Sequence, residues 1–117
     1  MKQDKIEKIA RLCHELNRRI CEIIGDHSQQ AWEDAPEIIK NSARVGVESH
    51  LENPDLTPEE SHDLWMDFKL KEGWVRSATK SVEAKTHPLL CPYDELPLFD
   101  RLKDHVFSCA VKYAREI

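Results

Sequence analysis

Apolar residues near the start of the chain recur with the period of an α-helix. Within residues 4–24 they are spaced three or four positions apart, which places them in one stripe along one helix face. The members of the stripe are Ile6, Ile9, Cys13, Leu16, Ile20 and Ile23. Gly25 follows, and glycine commonly ends a helix. A coiled-coil strand shares this spacing, but the stripe covers only about three heptads, so we favour a helix within a bundle.

A second helix is predicted over residues 36–52. Pro36 suits the first turn, with Asp34 before it and Glu37 after it. The expected inner face consists of Ile39, Ala43, Gly46, Val47 and His50. Because Ala43 and Gly46 have small side chains, this helix is expected to cross another helix closely.

Two more helices and a long loop complete the predicted fold. Thr57 and Glu60 form a capping box that starts a helix over residues 57–72. Its expected inward side chains are Leu64, Trp65 and Phe68. The last helix, over residues 98–115, has Phe99, Leu102, Val106, Cys109 or Ala110, and Tyr113 at helical spacing. Residues 74–97 show no helical period and no strand pattern, and an ordered loop of that length is typically functional or tightly packed. The predicted fold class is therefore all-α, a small bundle of about four helices with a long ordered loop before the last helix.

Composition and charge exclude several classes of protein. A chain of 117 residues with 40% hydrophobic and 33% charged residues is expected to form one folded domain, residues 1–117. The net charge is −5 and no basic stripe occurs, so duplex nucleic acid is not an expected partner. The charged first residues and the lack of a long apolar run predict neither a signal peptide nor a membrane span, and we expect a cytoplasmic protein.

Catalytic, cofactor and metal-binding patterns are missing from the sequence. There is no G-x-S-x-G, no Walker-type glycine loop and no H-E-x-x-H, so no enzymatic activity is expected. The four cysteines include no C-x-x-C pair, and we interpret them as reduced thiols. His14 with Cys21, or His87 with Cys91, has spacing that brings two ligands near one ion. A structural zinc site normally draws four ligands from two tight pairs, so neither metal nor cofactor is predicted.

A weak internal repeat is also visible. His14-Glu15-Leu16-Asn17 precedes Gly25 by the 11 residues that separate His62-Asp63-Leu64-Trp65 from Gly73. A loop and another helix follow in each case. The pattern suggests two degenerate helix–loop–helix halves that face each other, with Asn17 in the position of Trp65. Chance identity is the competing explanation.

Three segments in the second half match a known family pattern in order and spacing. They are His62-Asp63-Leu64-Trp65, then Gly73-Trp74, then the run Lys85-Thr86-His87-Pro88-Leu89-Leu90-Cys91-Pro92-Tyr93-Asp94-Glu95-Leu96-Pro97. Together they resemble the ryanodine-receptor (RyR) repeat, over residues 57–113, with residues 1–53 as an N-terminal helical half. One departure is Arg76-Ser77-Ala78, where the family usually has Tyr-Gly-Pro.

The whole chain also looks like stand-alone RyR-domain proteins encoded by bacteriophages and prophages. The resemblance implies a helical fold, no known enzymatic activity and a link to nucleotide-type ligands. It does not supply a biological role. A phage protein of this kind is expected to bind a nucleotide-derived metabolite or second messenger, and thereby to sequester a host defence signal.

The predicted ligand site is built from aromatic and cationic side chains. Its members are Trp65, Trp74, Arg76, Lys85, His87, Tyr93 and Trp32, with Lys80 as a further cation. Aromatic faces stack on a base, and cations bind phosphate. The alternative is that the tryptophans belong to the core, while His87 and Tyr93 pack the loop.

A second hypothesis is a protein-interaction module whose acidic surface and long loop dock onto a host or phage protein. The apolar stripe from Ile6 to Ile23 also predicts a homodimer or small oligomer. A self-associating, purely structural role is the third possibility.

Overall fold

Four helices form the frame of the molecule, and the computed structural model describes residues 2–117. They are α1 (Lys2–Ile23), α2 (Glu37–Glu52), α3 (Pro58–Lys71) and α4 (Leu98–Ala114). The capping box predicted at Thr57 is present, with both of its hydrogen bonds formed. Each helix agrees with its predicted bounds to within two residues, so the all-α bundle with a long loop before the last helix is confirmed.

The main core lies where the first half of α1 packs against α2 and α4. Ile6 and Ile9 of α1 are buried there against Val47 of α2 and Val111 of α4. At Gly46, a Cβ atom would lie 3.1 Å from Cζ of Phe107 in α4. The close crossing predicted for α2 is therefore confirmed, since even a methyl group would press on the facing ring.

The apolar stripe of α1 is only partly buried. Ile6 is 1% exposed whereas Ile23, at the other end of the stripe, is 84% exposed. Leu16 and Ile20, between the two, border a cavity instead of a packed core. The sequence period was read correctly, but the helices do not close on one another along their whole length.

The predicted inner faces of α3 and α4 need correction. Leu64 of α3 is 46% exposed, and the residues that α3 buries are His62 and Lys69. In α4 the exposed residues include Leu102, Cys109 and Tyr113, which were predicted to face inward. The packed face of α4 consists of Phe107, Ala110, Val111 and Ala114. These residues have helical spacing, but the face that they form is offset by about one residue from the predicted face.

The long loop contains two short strands, β1 (Val75–Arg76) and β2 (Thr86–His87), which pair in parallel. These strands add a short paired element to the predicted loop, which the sequence pattern did not indicate. Two-residue strands are too short to show an alternating pattern in the sequence. Lys85 precedes β2 with a positive φ of 56°, and its Nζ donates to the carbonyl oxygen of Glu72 at 2.8 Å.

The two halves repeat the same turn after their first helix. After α1, the backbone N–H of Asp26 donates to the carbonyl of Cys21 at 2.9 Å. After α3, that of Trp74 donates to the carbonyl of Lys69 at 3.0 Å. Gly25 and Gly73 occupy equivalent positions, with φ of 85° and 92°. A left-handed residue at this point is the usual way to end a helix, and glycine adopts it at the lowest cost.

The repetition continues at the second helix of each half. Short 3₁₀ turns, Trp32–Asp34 and Tyr93–Glu95, are each followed by one extended residue and then by Pro36 or Pro97, which caps the next helix. The predicted arrangement of two helix–loop–helix halves is thus present in the backbone.

A buried histidine closes the loop in each half. Nε2 of His14 donates to the carbonyl oxygen of Gln30 at 2.6 Å, and Nε2 of His62 donates to that of Cys91 at 2.8 Å. The first pair is 16 residues apart and the second 29. The second half therefore has a loop longer by 13 residues, and that extra length contains β1 and β2.

Within residues 2–117, none of the helices combines the length and the apolar character that crossing a membrane requires.

Replacing Ile6 by Ala should lower the free energy of unfolding by about 2–5 kcal/mol, because it leaves a cavity in a packed core. The matched control is Ile23→Ala in the same helix, which should change the value by less than about 0.5 kcal/mol. Urea unfolding followed by circular dichroism measures both. Equal losses for the two variants would contradict the described packing of α1.

Replacing either loop-closing histidine by Leu should lower the free energy of unfolding by about 1–3 kcal/mol, since a buried carbonyl group loses its donor. His14→Leu and His62→Leu should have similar effects because the two residues play the same part. His27→Leu, at an exposed loop position, is the control and should be nearly neutral. A neutral effect at both His14 and His62 would show that the loops are held by other contacts.

Candidate functional site

A cavity of about 740 Å³ lies between the two halves. All four helices border it, and so do the loop after α1 and the long loop before α4. Cavities that bind small molecules are commonly about 300–1,000 Å³. The volume is therefore suited to a ligand of nucleotide size.

Aromatic rings form a row along one wall of the cavity. The ring of Trp65 lies 5.4 Å from that of His62 and 5.1 Å from that of His87, and the ring of Trp74 is 6.3 Å from that of His87. All four residues border the cavity. Helix α3 contributes the first two and the long loop the other two. Flat apolar surfaces of this kind can stack on a planar ligand.

Lys69 is a buried cation at one end of this row. It is 3% exposed, and its Nζ lies 4.3 Å from the centroid of the Trp74 ring. No residue within 2–117 forms a hydrogen bond or an ion pair with its ammonium. Burial, together with repulsion from Lys80, lowers the pKa of Lys69 to about 8. An ammonium group held this way is destabilising unless an anion reaches it.

Three further lysines border the same cavity, and one of them, Lys71, is paired with Asp67 at 2.9 Å. Lys80 stands on the long loop, and partial removal of its ammonium from water lowers its pKa. Lys103 of α4 is paired with Asp100 at 3.2 Å. Because Lys71 and Lys103 already have carboxylate partners, Lys69 and Lys80 are the cavity lysines without an ion pair to a described residue.

His87 presents a neutral ring to the cavity. Its Nδ1 accepts a hydrogen bond from the backbone N–H of Leu89 at 3.1 Å. Burial and the surrounding cations lower its pKa to about 3. A neutral imidazole whose Nδ1 accepts carries its hydrogen on Nε2, so the second ring nitrogen is a donor.

Asp104 of α4 is the carboxylate at the other end of the row. Its Oδ2 lies 3.7 Å from Nδ1 of His62, and that oxygen is buried without a hydrogen-bond partner in residues 2–117. Burial raises the pKa of Asp104 to about 6, although the nearby His62 opposes the shift. The buried Nε1 of Trp74 also lacks a partner within the described chain. Unsatisfied buried polar atoms are rare enough to need an explanation.

The structure brings together three residues of the predicted site. Trp65, Trp74 and His87 all border the cavity, as does Lys80, which was predicted as a phosphate-binding cation. Trp65 is half-buried, whereas Trp74 is 1% exposed. These two rings therefore pack the interior and also border its open space.

The other predicted residues lie away from the cavity wall. Arg76 is exposed and faces Glu95 at 3.7 Å. The ammonium of Lys85 is held by a backbone carbonyl, as described above. The ring of Tyr93 packs 6.0 Å from His62, on the side of that ring where the loop is closed.

Trp32 is separated from the cavity by the core. Its ring lies 5.6 Å from that of His14 and belongs to the main core cluster. It occupies the position in the first half that Tyr93 occupies in the second. Trp32 and Tyr93 thus share a packing role, and neither of them borders the cavity.

Sequence reasoning missed Lys69, Asp104 and Lys103. Each is a charged residue on a helix, where the usual location is the solvent-facing side. The sequence does contain one signal for Lys69. It stands seven positions after His62, and residues seven apart lie on nearly the same helix face.

The family model of the RyR domain matches residues 36–110 of the chain, which is well over half of its length. The chain belongs to the RyR domain family. A comparison with curated proteins finds no match.

The region matched as an RyR domain includes α2, α3, the long loop and most of α4. It therefore contains every aromatic ring and every lysine described at the cavity. Helix α1 lies outside it and supplies the remaining wall, where Asn17 and Cys21 border the open space. No group of three metal-binding side chains is assembled anywhere in residues 2–117.

Lys69→Met should raise the free energy of unfolding at pH 7 by about 1–2 kcal/mol. In the folded state the pKa of Lys69 is lower than that of a free lysine. At neutral pH the charged ammonium therefore lowers the free energy of unfolding of the wild type. Loss of the cation–π contact with Trp74 offsets part of the gain. The stability difference between the variant and the wild type should shrink as the pH rises from 8 to 10, because the wild-type ammonium then loses its proton.

Chemical denaturation at pH 7, 8.5 and 10 measures this difference. Lys8→Met, at an exposed position of α1, is the control and should show no such pH dependence. A Lys69→Met variant that is less stable than the wild type at pH 7 would mean that the ammonium is satisfied within the protein.

Proposed function

We propose that this RyR domain is a non-enzymatic binding protein for a nucleotide-derived small molecule, which it holds in the cavity between its two halves. The observation that carries the proposal is the buried ammonium of Lys69, which has no partner in the described chain and borders a space of about 740 Å³. A phosphate group reaching that ammonium would remove its desolvation cost and add a charge-assisted hydrogen bond.

The neighbouring side chains fit the remainder of a nucleotide. Stacking of a base on an aromatic side chain contributes about 1–3 kcal/mol, and Trp65 is a half-buried ring at the cavity wall. The neutral His87 adds a hydrogen-bond donor. Natural proteins tolerate unfavourable buried groups chiefly where function requires them, so the instability predicted at Lys69 supports a binding role.

The cellular role that we propose follows from the family resemblance. A phage-encoded protein of this kind, located in the host cytoplasm, would sequester a nucleotide second messenger by binding it without chemical conversion. Sequestration requires only affinity and sufficient protein.

Intrinsic tryptophan fluorescence tests the binding of nucleotides directly. Titration with AMP, GMP, cyclic nucleotides and ADP-ribose should quench the wild-type signal for at least one compound, because the base stacks beside Trp65. The quenching should persist in Trp32→Phe, whose ring lies in the core, and should fall strongly in Trp65→Phe. Calorimetry on the same variants then gives the affinities.

Two outcomes would overturn the proposal. One is the absence of any quenching or heat with the whole panel. The other is equal binding by the wild type, Trp65→Phe and Lys69→Met, since the ligand would then occupy another surface.

A second candidate function is a protein-interaction module. It is favoured by exposed apolar residues at Ile23, Ile24 and Leu98, which suit a contact with another protein. Stoichiometric capture of a host or phage protein that nucleotides do not displace would support this function. The predicted homo-oligomer loses part of its original basis, because Ile6 and Ile9 are buried within one chain, and mass measurement in solution tests it.

A further inference from the structure

The cavity has two chemically different ends, and helix α3 sets the distance between them. His62 and Lys69 are the residues that α3 buries, and seven residues separate them. At 1.5 Å per residue they are about 10 Å apart along the helix axis and on nearly the same face. Trp65 lies between them on the same side of the helix and borders the cavity.

The end at Lys69 is cationic. Lys80 is close enough to Lys69 to disfavour its charge, and neither lysine has an ion pair with a described residue. Both border the cavity, and Lys69 is buried. Asp26 also borders the cavity and lies near Lys80, but it forms no ion pair with either lysine, so this end is suited to an anionic group of a ligand.

The end at His62 accepts hydrogen bonds. Nε2 of His62 is committed to the carbonyl oxygen of Cys91, so only its Nδ1 faces Asp104. The separation from Asp104 is 3.7 Å, which is too long for a hydrogen bond. Asp104 borders the cavity with a side chain that is 29% exposed, and its buried Oδ2 has no hydrogen-bond partner in residues 2–117. Its carboxylate is therefore available to the hydroxyl or amino group of a ligand.

We propose that the cavity binds a phosphorylated nucleoside in one orientation, with its phosphate at Lys69 and Lys80 and a hydrogen-bond donor of its base or sugar at Asp104. The row of rings between the two ends then contacts the body of the ligand. This inference rests on the proposed function and adds to it the ligand's polarity. An uncharged nucleoside would occupy only the Asp104 end, and pyrophosphate only the Lys69 end.

Calorimetry with three probes on two variants tests the orientation. The probes are GMP, guanosine and pyrophosphate, with AMP and adenosine as the second purine pair. Lys69→Met should weaken GMP and pyrophosphate about tenfold or more and leave guanosine unchanged. Asp104→Asn should weaken GMP and guanosine about tenfold or more and leave pyrophosphate unchanged. Both variants lose a poorly solvated charge and are expected to fold, which circular dichroism checks.

Arg76→Met is the matched control. Arg76 is a cation of the same loop as Lys80, but it faces Glu95 outside the cavity, so the affinity for every probe should be unchanged. The inference is overturned if Lys69→Met weakens guanosine as much as GMP, or if Asp104→Asn weakens pyrophosphate. Nucleotide binding that neither variant alters also overturns it while leaving a nucleotide-binding function in place. If no probe binds to the wild type, the inference is overturned, and the proposed function fails with it only when cyclic nucleotides and ADP-ribose do not bind either.

Discussion

A buried histidine ring holds the loop that follows the first helix of each half, by donating from Nε2 to a backbone carbonyl of that loop. The bond from His14 spans 16 residues and the bond from His62 spans 29. Each one satisfies a carbonyl that would otherwise be unpaired inside the protein, and each fixes where the next helix begins. The rest of the architecture depends on this constraint, because the 3₁₀ turn and the following helix take their positions from the end of the closed loop.

The two halves contribute different side chains to the space between them. In the first half the loop is short, and Trp32 fills the region beside its histidine with core packing. In the second half the longer loop reaches over the bundle and places Lys80 and His87 at the cavity. The two halves thus share one backbone arrangement, but the cavity between them is asymmetric. The additional residues of the second loop contribute side chains to the cavity, and a histidine closes that loop in the same way as in the first half.

One part of the helix bundle forms a packed core, and another part borders the cavity. The first part of α1 packs against α2 and α4, where Ile6, Ile9 and Ala10 are buried. Toward the end of α1 the helices enclose a space bordered by charged and aromatic side chains instead. That region contains the buried Lys69 and two buried atoms without a hydrogen-bond partner in the described chain, Nε1 of Trp74 and Oδ2 of Asp104. The stability of the packed core offsets the cost of the unpartnered polar groups at the cavity, as is usual where a protein maintains a ligand site.

The sequence by itself determined the helices, their ends and the repetition of the two halves, because helical period, capping residues and glycine stops act over a few neighbouring positions. It also indicated the family, and it identified Trp65, Trp74 and His87 as residues of interest. Only the tertiary structure decided that Trp32 and Tyr93 pack elsewhere, that α4 presents Phe107 and Val111, and that Lys69 and Asp104 border a cavity. Those outcomes depend on the space left between side chains distant in sequence. A period of 3.6 residues tells which side of one helix is apolar, but not whether the facing helix fills the gap.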